Sequence, residues 1–259
     1  MNLSPVSISL SSFGADYVRI HGQASLAPLL RQSGASHMEL REELFEHFDP
    51  ASLAQAITAQ GLTCVYSSPL ELWQPGQATP NAQLGLALNN AAACGAIWLK
   101  VSLGYFAPGC DLQALGQALA GQPVRLLVEN DQTAQGGRID PLVRFFAKVE
   151  EHRLPVGMTF DIGNWQWQRQ SVPSAALQLG RHVEYLHCKA VRSANGKYIA
   201  VPPVEDDLRH WSELLAHMQG VQVRAIEFPL QGDDLLAVTR GHVHDLARLG
   251  HSRLETAHG

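Results

Sequence analysis

Apolar residues along the chain gather in eight short runs: Val6 to Leu10, His37 to Arg41, Leu62 to Tyr66, Ala96 to Val101, Val124 to Glu129, Val156 to Asp161, Val183 to His187 and Val223 to Glu227. They are rich in β-branched and aromatic residues and too short for helices, which predicts strands. Their near-continuous hydrophobicity, in place of strict alternation, predicts a parallel sheet covered on both faces. Between them lie helix signals. Asp49-Pro50 opens a helix that Gly61 closes, because Asp accepts from an otherwise unpaired helix N–H and proline loses nothing at a position whose N–H would be unpaired anyway. The same punctuation predicts helices from Thr79-Pro80 to Gly95 and from Asp140-Pro141 onward, and Asp111 with Gly121 marks one without proline. Further helices are expected near 26–31, ending at Gly34, and near 174–181, 208–219 and 233–249.

Eight strands thus alternate with eight helices, a strand starting about every 30 residues, the length of one strand–helix unit. No linker or shift in composition divides the chain. A single domain over residues 1–259 is therefore predicted, an α/β fold of the (β/α)8 TIM barrel type with parallel strands, in preference to an open doubly wound sheet. The length of 259 residues suits that barrel, whose usual size is about 250.

Composition narrows the partners. With 46% hydrophobic and 17% charged residues the chain can bury a substantial core, and a net charge of −5 lacks the basic footprint of a nucleic-acid binder. No apolar run approaches the roughly 20 residues that cross a bilayer. Met1 to Pro5 shows neither a basic nor a continuous apolar leader region, so a cytoplasmic protein with no membrane partner is expected. Cys64, Cys94, Cys110 and Cys188 form no CxxC pair and read as small buried hydrophobes. Helix-covered barrel exteriors often associate, and nothing in the sequence sets an oligomeric state.

The candidate chemistry lies in the second half, where four successive strands end in Glu129, Asp161, His187 and Glu227. Reactive groups of such barrels sit at strand C-terminal ends, and neighbouring strands bring those ends together. Like charges crowded on one mouth repel unless a cation offsets them. The four residues are therefore read as ligands of one divalent ion. Three carboxylates and one imidazole make a hard, oxygen-rich shell, which suits Mn2+ first and Mg2+ or Co2+ as alternatives.

The phrases Leu126-Leu127-Val128-Glu129-Asn130, Phe160-Asp161-Ile162-Gly163-Asn164, Leu186-His187-Cys188-Lys189 and Ala225-Ile226-Glu227 resemble the signatures of the xylose isomerase-like barrel superfamily. That group includes ketose 3-epimerases, hydroxypyruvate isomerases, inosose and dehydroshikimate dehydratases and the endonuclease IV group. The resemblance implies that Glu129, Asp161, His187 and Glu227 bind one metal, and that Glu129 and Glu227 form a catalytic acid/base pair acting on a small carbohydrate-like substrate through an enediolate. It implies a metal-dependent sugar isomerase or epimerase. A lyase of the dehydratase kind is the alternative; an endonuclease IV-like phosphodiesterase or a binding barrel without turnover is more remote.

Substrate-binding candidates follow from position. Lys189 matches the family's His-x-Lys. Glu39 and Arg41 end the second strand with the parity to line the mouth, and Lys100 on the fourth can meet an anionic group or form a Schiff base. Trp165 and Trp167, just after Asp161 to Asn164, are placed to pack against a sugar. Two departures stand out: Asn164, a further substrate-binding candidate able to hydrogen-bond a sugar hydroxyl, occupies the place of the histidine in the family's Asp-Thr-Gly-His, and the stretch from Arg192 to Asp206 differs from the usual Gly-rich segment and reads as a covering loop.

Overall fold

A computed structural model describes residues 3–251. The strands are β1 (Val6–Ser9), β2 (His37–Arg41), β3 (Thr63–Trp73), β4 (Ala96–Gly104), β5 (Arg125–Glu129), β6 (Val156–Asp161), β7 (Val183–Cys188), the hairpin pair β8 (Ala190–Ala194) and β9 (Lys197–Val201), and β10 (Val223–Ile226). All but the hairpin pair in parallel around one sheet, and β10 closes onto β1 from Val6 opposite Arg224 to Ile8 opposite Ile226. Eight parallel strands flanked by helices make the expected (β/α)8 barrel.

The helices are α1 (Ala15–His21), α2 (Ala27–Ser33), α3 (Pro50–Ala59), α4 (Leu84–Ala93), α5 (Leu112–Leu119), α6 (Ile139–Glu151), α7 (Val172–Leu179), α8 (Glu205–Leu214) and α9 (Leu235–Arg248). Side-chain caps start several of them. Asp49 accepts from Ser52 N at 3.2 Å with Pro50 in the first turn, and Asp111 and Asp234 each accept from the backbone three residues on at 2.9 Å. None of these helices is long and apolar enough to cross a membrane.

Strand alternation divides the core in two. Outward residues such as Ile8, Met38, Leu126, Phe160 and Leu186 pack against the helices in the main apolar cluster. Inward residues Val65, Trp98, Leu127, Tyr185, Val223 and Ala225 form a separate plug inside the barrel. One step further along the same inward rows the chemistry changes: Trp98 is followed by Lys100, Leu127 by Glu129, Tyr185 by His187 and Ala225 by Glu227. The plug therefore forms a water-excluding floor beneath a layer of ionisable groups.

Several elements differ from the expectations, each for a local reason. The helix expected from Thr79-Pro80 starts at Leu84, because residues 78–81 are tied to the prolonged end of β3 and to Asp111: Asn81 donates to Glu71 O and Leu72 O at 3.0 and 2.9 Å, and Asp111 N donates to Ala78 O at 2.7 Å. Asp140-Pro141 is not a cap. Helix α6 begins at Ile139, whose N–H donates to Gln170 Oε1 at 3.2 Å, and proline sits harmlessly inside the first turn. Strands β3 and β4 run on to Trp73 and Gly104 through a register shift, and α1 occupies what reads as a polar loop, giving nine α-helices among the described residues in place of eight.

The covering loop is a β-hairpin. Its turn is Asn195-Gly196, with φ of 51° and 74°, the left-handed pair that suits a two-residue hairpin turn. Arg192 Nη2 donates to Asp207 Oδ2 at 2.6 Å and fastens the hairpin to α8.

Candidate metal centre

Glu129 ends β5, Asp161 ends β6, His187 lies on β7 and Glu227 follows β10, which places all four at one mouth of the barrel. One ligand atom from each lies within 4.8 Å of the other three. His187 Nδ1 is 3.2 Å from Glu129 Oε1, 3.0 Å from Glu227 Oε2 and 3.9 Å from Asp161 Oδ2. Adjacent ligands of an octahedral shell with metal–oxygen bonds of about 2.1 Å are about 3 Å apart, so the spacing suits a single ion. The donor chemistry fits as well. Glu129 Oε1 and His187 Nδ1 are buried without a hydrogen-bond partner, and Asp161 Oδ2 beside them meets only the Lys189 ammonium, at 2.7 Å.

Local structure holds these ends in register. Asn130 Nδ2 donates to Asp161 O and Asp161 N donates to Asn130 Oδ1, both at 2.9 Å, which locks the end of β5 to the end of β6. Asn164 N then donates to Asp161 Oδ1 at 2.9 Å, leaving Oδ2 for the centre. Gly163 permits the close passage of β8 beneath this turn: a Cβ there would lie 2.8 Å from both Lys189 O and Val191 Cγ2.

Cations surround the carboxylates. Lys100 Nζ donates to Glu129 Oε2 at 2.6 Å, Arg41 Nη1 donates to Glu227 Oε1 at 3.0 Å, and Lys189 Nζ lies 2.9 Å from Glu227 Oε2 and 2.7 Å from Asp161 Oδ2. Burial opposes ionisation throughout, yet the charges of Lys100 and His187 hold the Glu129 carboxyl below its usual range, and Lys189 and His187 hold Glu227 well below it. Asp161 goes the other way. Burial, reinforced by the charges of Glu227 and Glu129, outweighs Lys189 and raises its carboxyl to about 7. His187, despite burial, is raised well above the ordinary imidazole range by Glu39 and Glu227. The carboxylates of Glu39, Glu129, Asp161 and Glu227 gather with only three side-chain cations, Lys100, Arg41 and Lys189, so a divalent ion can offset the remaining negative charge.

The remaining candidates divide. Lys189 borders a cleft of ≈ 240 Å³ lined also by Ser12, Gln132, Trp167, Ala200 and Glu227. Arg41 reaches the rim. Glu39, expected at the mouth, is wholly buried beneath the centre against His187 and Tyr185, because the ion pairs and hydrogen bonds available there are all internal. Lys100 is equally enclosed, and its ammonium is stabilised by Glu129 and Glu39 despite burial, the reverse of what a Schiff base needs. Asn164 spends its side chain on Asn130 O at 2.9 Å and on Gln132 Nε2 at 3.1 Å, so it braces the loops and does not face the cleft.

Trp165 lies away from the cleft. It packs under the mouth against Phe160 at 5.4 Å with no exposure, while Trp167, two residues on, lines the cleft and packs on Tyr198 of the hairpin at 5.6 Å. Sequence reasoning missed Asn130, Tyr185, Gln132 and Ser12. Parity alone marked Tyr185, which stands two residues before His187 on the same inward row. A larger groove of ≈ 620 Å³ lies between α8 and α9 and includes none of the centre's residues.

No family model matches the sequence, and a search of curated proteins finds no match. Solved structures do match in fold. A xylose isomerase domain containing protein from Salmonella typhimurium LT2 superposes with a TM-score of 0.71 at 14% identity, covering 97% of this chain and 99% of the other. A D-psicose 3-epimerase with D-tagatose, from Clostridium cellulolyticum H10, gives 0.68 at 10% identity over 95% and 99%. A probable 3-DHS dehydratase from Bacillus anthracis gives 0.62 at 12% identity over 93% and 98%. With the closed barrel and these end-to-end superpositions, this chain shares the (β/α)8 TIM-barrel fold of these proteins.

Proposed function

We propose that the protein is a divalent-metal-dependent isomerase or epimerase of a sugar, keto-sugar or related polyol, moving a proton through an enediolate. The observation that carries this reading is the convergence of Glu129, Asp161, His187 and Glu227 within 4.8 Å, with Glu129 Oε1 and His187 Nδ1 buried and lacking a hydrogen bond. Their hard donor set favours Mn2+, with Mg2+ or Co2+ as alternatives. A bound ion of this kind supplies Lewis-acid polarisation of a carbonyl and charge to offset the enediolate.

The chain's own residues do the rest. Glu129 and Glu227 come from different sides of the mouth, and each turns one oxygen to a cation, Lys100 or Arg41, and the other towards the centre. Lys100 and His187 beside Glu129, and Lys189 and His187 beside Glu227, favour both carboxyls ionised, so one can remove the proton beside the carbonyl and the other can protonate the opposite face. Lys189, at the cleft wall, donates to a substrate oxygen. Trp167 and the hairpin exclude water. The cleft of ≈ 240 Å³ is below the roughly 300–1,000 Å³ of drug-sized sites, which suits a monosaccharide-sized ligand.

A lyase reading shares the first proton abstraction and then expels a β-hydroxyl. Lys189 bears on it, since it lines the cleft and its ammonium can hydrogen-bond that hydroxyl as it leaves. Incubation of the Mn2+-loaded protein with ketoses and cyclic polyols in D2O separates the two. Deuterium beside the carbonyl in recovered or epimeric sugar supports the isomerase; loss of water with a new conjugated carbonyl absorbance reassigns it as a lyase. Neither signal across the panel, with metal bound, would sink both.

A further inference from the structure

We propose that Glu39 is the positioning residue of this centre: its buried carboxylate holds His187 as the Nε2–H tautomer and so turns Nδ1 towards Glu129, Asp161 and Glu227. The role rests on the metal-centre reading above and adds a residue outside the ligand set.

Glu39 lies on β2, His187 on β7, and the barrel order sets β1 and β10 between them. The inward residues at this level of those two strands are small. Ser9 stands opposite Glu39 and Ala225 opposite His187, with Ser7 paired to Ala225. Small side chains on both intervening strands open a lane through which the glutamate spans the barrel interior. Its Oε2 lies 2.7 Å from His187 Nε2 and 2.7 Å from the Tyr185 hydroxyl.

An ionised carboxylate only accepts, so both partners donate. Tyr185, having given its proton to Glu39, accepts from Ser7 Oγ at 2.8 Å. Oε1 faces Arg41 Nη1 at 3.4 Å and Lys100 Nζ at 3.7 Å, cations that complement a carboxylate there. With the Nε2 proton committed, the other ring nitrogen points at the three carboxylates, buried and without a hydrogen-bond partner. The Tyr185 ring meets the imidazole edge to face, at 4.8 Å and 78°, and fixes its plane. Glu39 has no exposed surface and no line to the cleft, which rules out contact with a substrate held there. A histidine that binds a metal through one nitrogen commonly gives its other N–H to a carboxylate, and loss of that acceptor typically weakens metal affinity about 10–100-fold.

The test uses Co2+ as the probe on the full chain. Its dissociation constant is measured by chelator competition, and the His187 N–H is followed as a paramagnetically shifted, solvent-exchangeable proton resonance. Wild type is expected to show one slowly exchanging N–H. Glu39→Ala should weaken Co2+ binding about 10–100-fold and lose that resonance to fast exchange. Glu39→Gln, which keeps the shape and an acceptor oxygen but not the charge, should weaken binding less and retain the resonance. Should the alanine variant fail to fold, the glutamine variant decides: a wild-type dissociation constant together with a wild-type N–H exchange rate would overturn the role. Failure of the wild type to bind Co2+ at all would overturn the metal centre beneath it, a distinguishable result.

Discussion

Asp161 offers the sharpest test of how the centre is built, because its two functions pull in opposite directions. In the metal-free chain its carboxyl is raised from 3.8 to about 7 by burial and by the neighbouring Glu227 and Glu129. A carboxyl raised on folding binds more protons folded than unfolded between those two values, so its contribution to stability falls as pH rises from 3.8 towards 7 and stays low above. At about 1.4 kcal/mol for each tenfold change in proton affinity, the penalty above pH 7 is of order 4 kcal/mol. Asp161→Asn removes the charge while keeping an oxygen for the Asn164 N–H. Lys189 keeps Glu227 as a partner, and its attraction for Asp161 is already contained in the net shift.

In chelator-stripped protein roughly 1.7 kcal/mol of this penalty is already present at pH 5, so the variant should gain on wild type by a further ~2.5 kcal/mol between pH 5 and pH 8. The lowered carboxyls of Glu39, Glu129 and Glu227 contribute the opposite slope, but they are present in both proteins and largely cancel in the difference. Urea denaturation at the two pH values reads this directly. Adding Mn2+ at pH 8 should reverse the order: at 100 times its dissociation constant the ion stabilises wild type by about 2.7 kcal/mol and the weakened variant far less. A stability difference independent of pH would refute the electrostatic argument. Equal stabilisation of both proteins by Mn2+ would refute Asp161 as a ligand.

Glu129→Gln and Glu227→Gln should each lower deuterium uptake into substrate by about 100-fold or more while leaving the protein folded, read by NMR of the recovered sugar and by circular dichroism. Trp165→Ala should cost about 3–5 kcal/mol in denaturant titration through the cavity it leaves beneath the mouth, whereas Trp167→Ala should change stability little and raise KM more than it lowers kcat. Gly196→Val places a β-branched residue at φ 74°, which strains the hairpin turn; KM should rise as the cover over the cleft loosens, with metal affinity, by chelator competition, unchanged.

Much of this was legible in the chain. Short apolar runs spaced by one strand–helix unit specify a parallel barrel because hydrophobic burial depends on pattern and length, both local properties. Glu129, Asp161, His187 and Glu227 were legible too, since barrel closure brings successive strand ends together whatever the side-chain details. The Asn195-Gly196 hairpin carried a local signal of equal strength, obscured by the mixed charge around it.

What only the tertiary structure decided is which way the neighbouring groups work. Glu39 and Lys100 look from the sequence like groups on an open rim; the length of their side chains and the small Ser7, Ser9 and Ala225 around them turn them inward instead. Trp165 and Trp167 are two residues apart, yet the turn after Asp161 buries one and presents the other. The direction of the Asp161 carboxyl's shift likewise depends on charges supplied by three other strands. Such outcomes arise from distances between residues far apart in the chain, and in a buried site a change of one ångström in those distances decides whether a charge is offset, repelled or left to bind an ion.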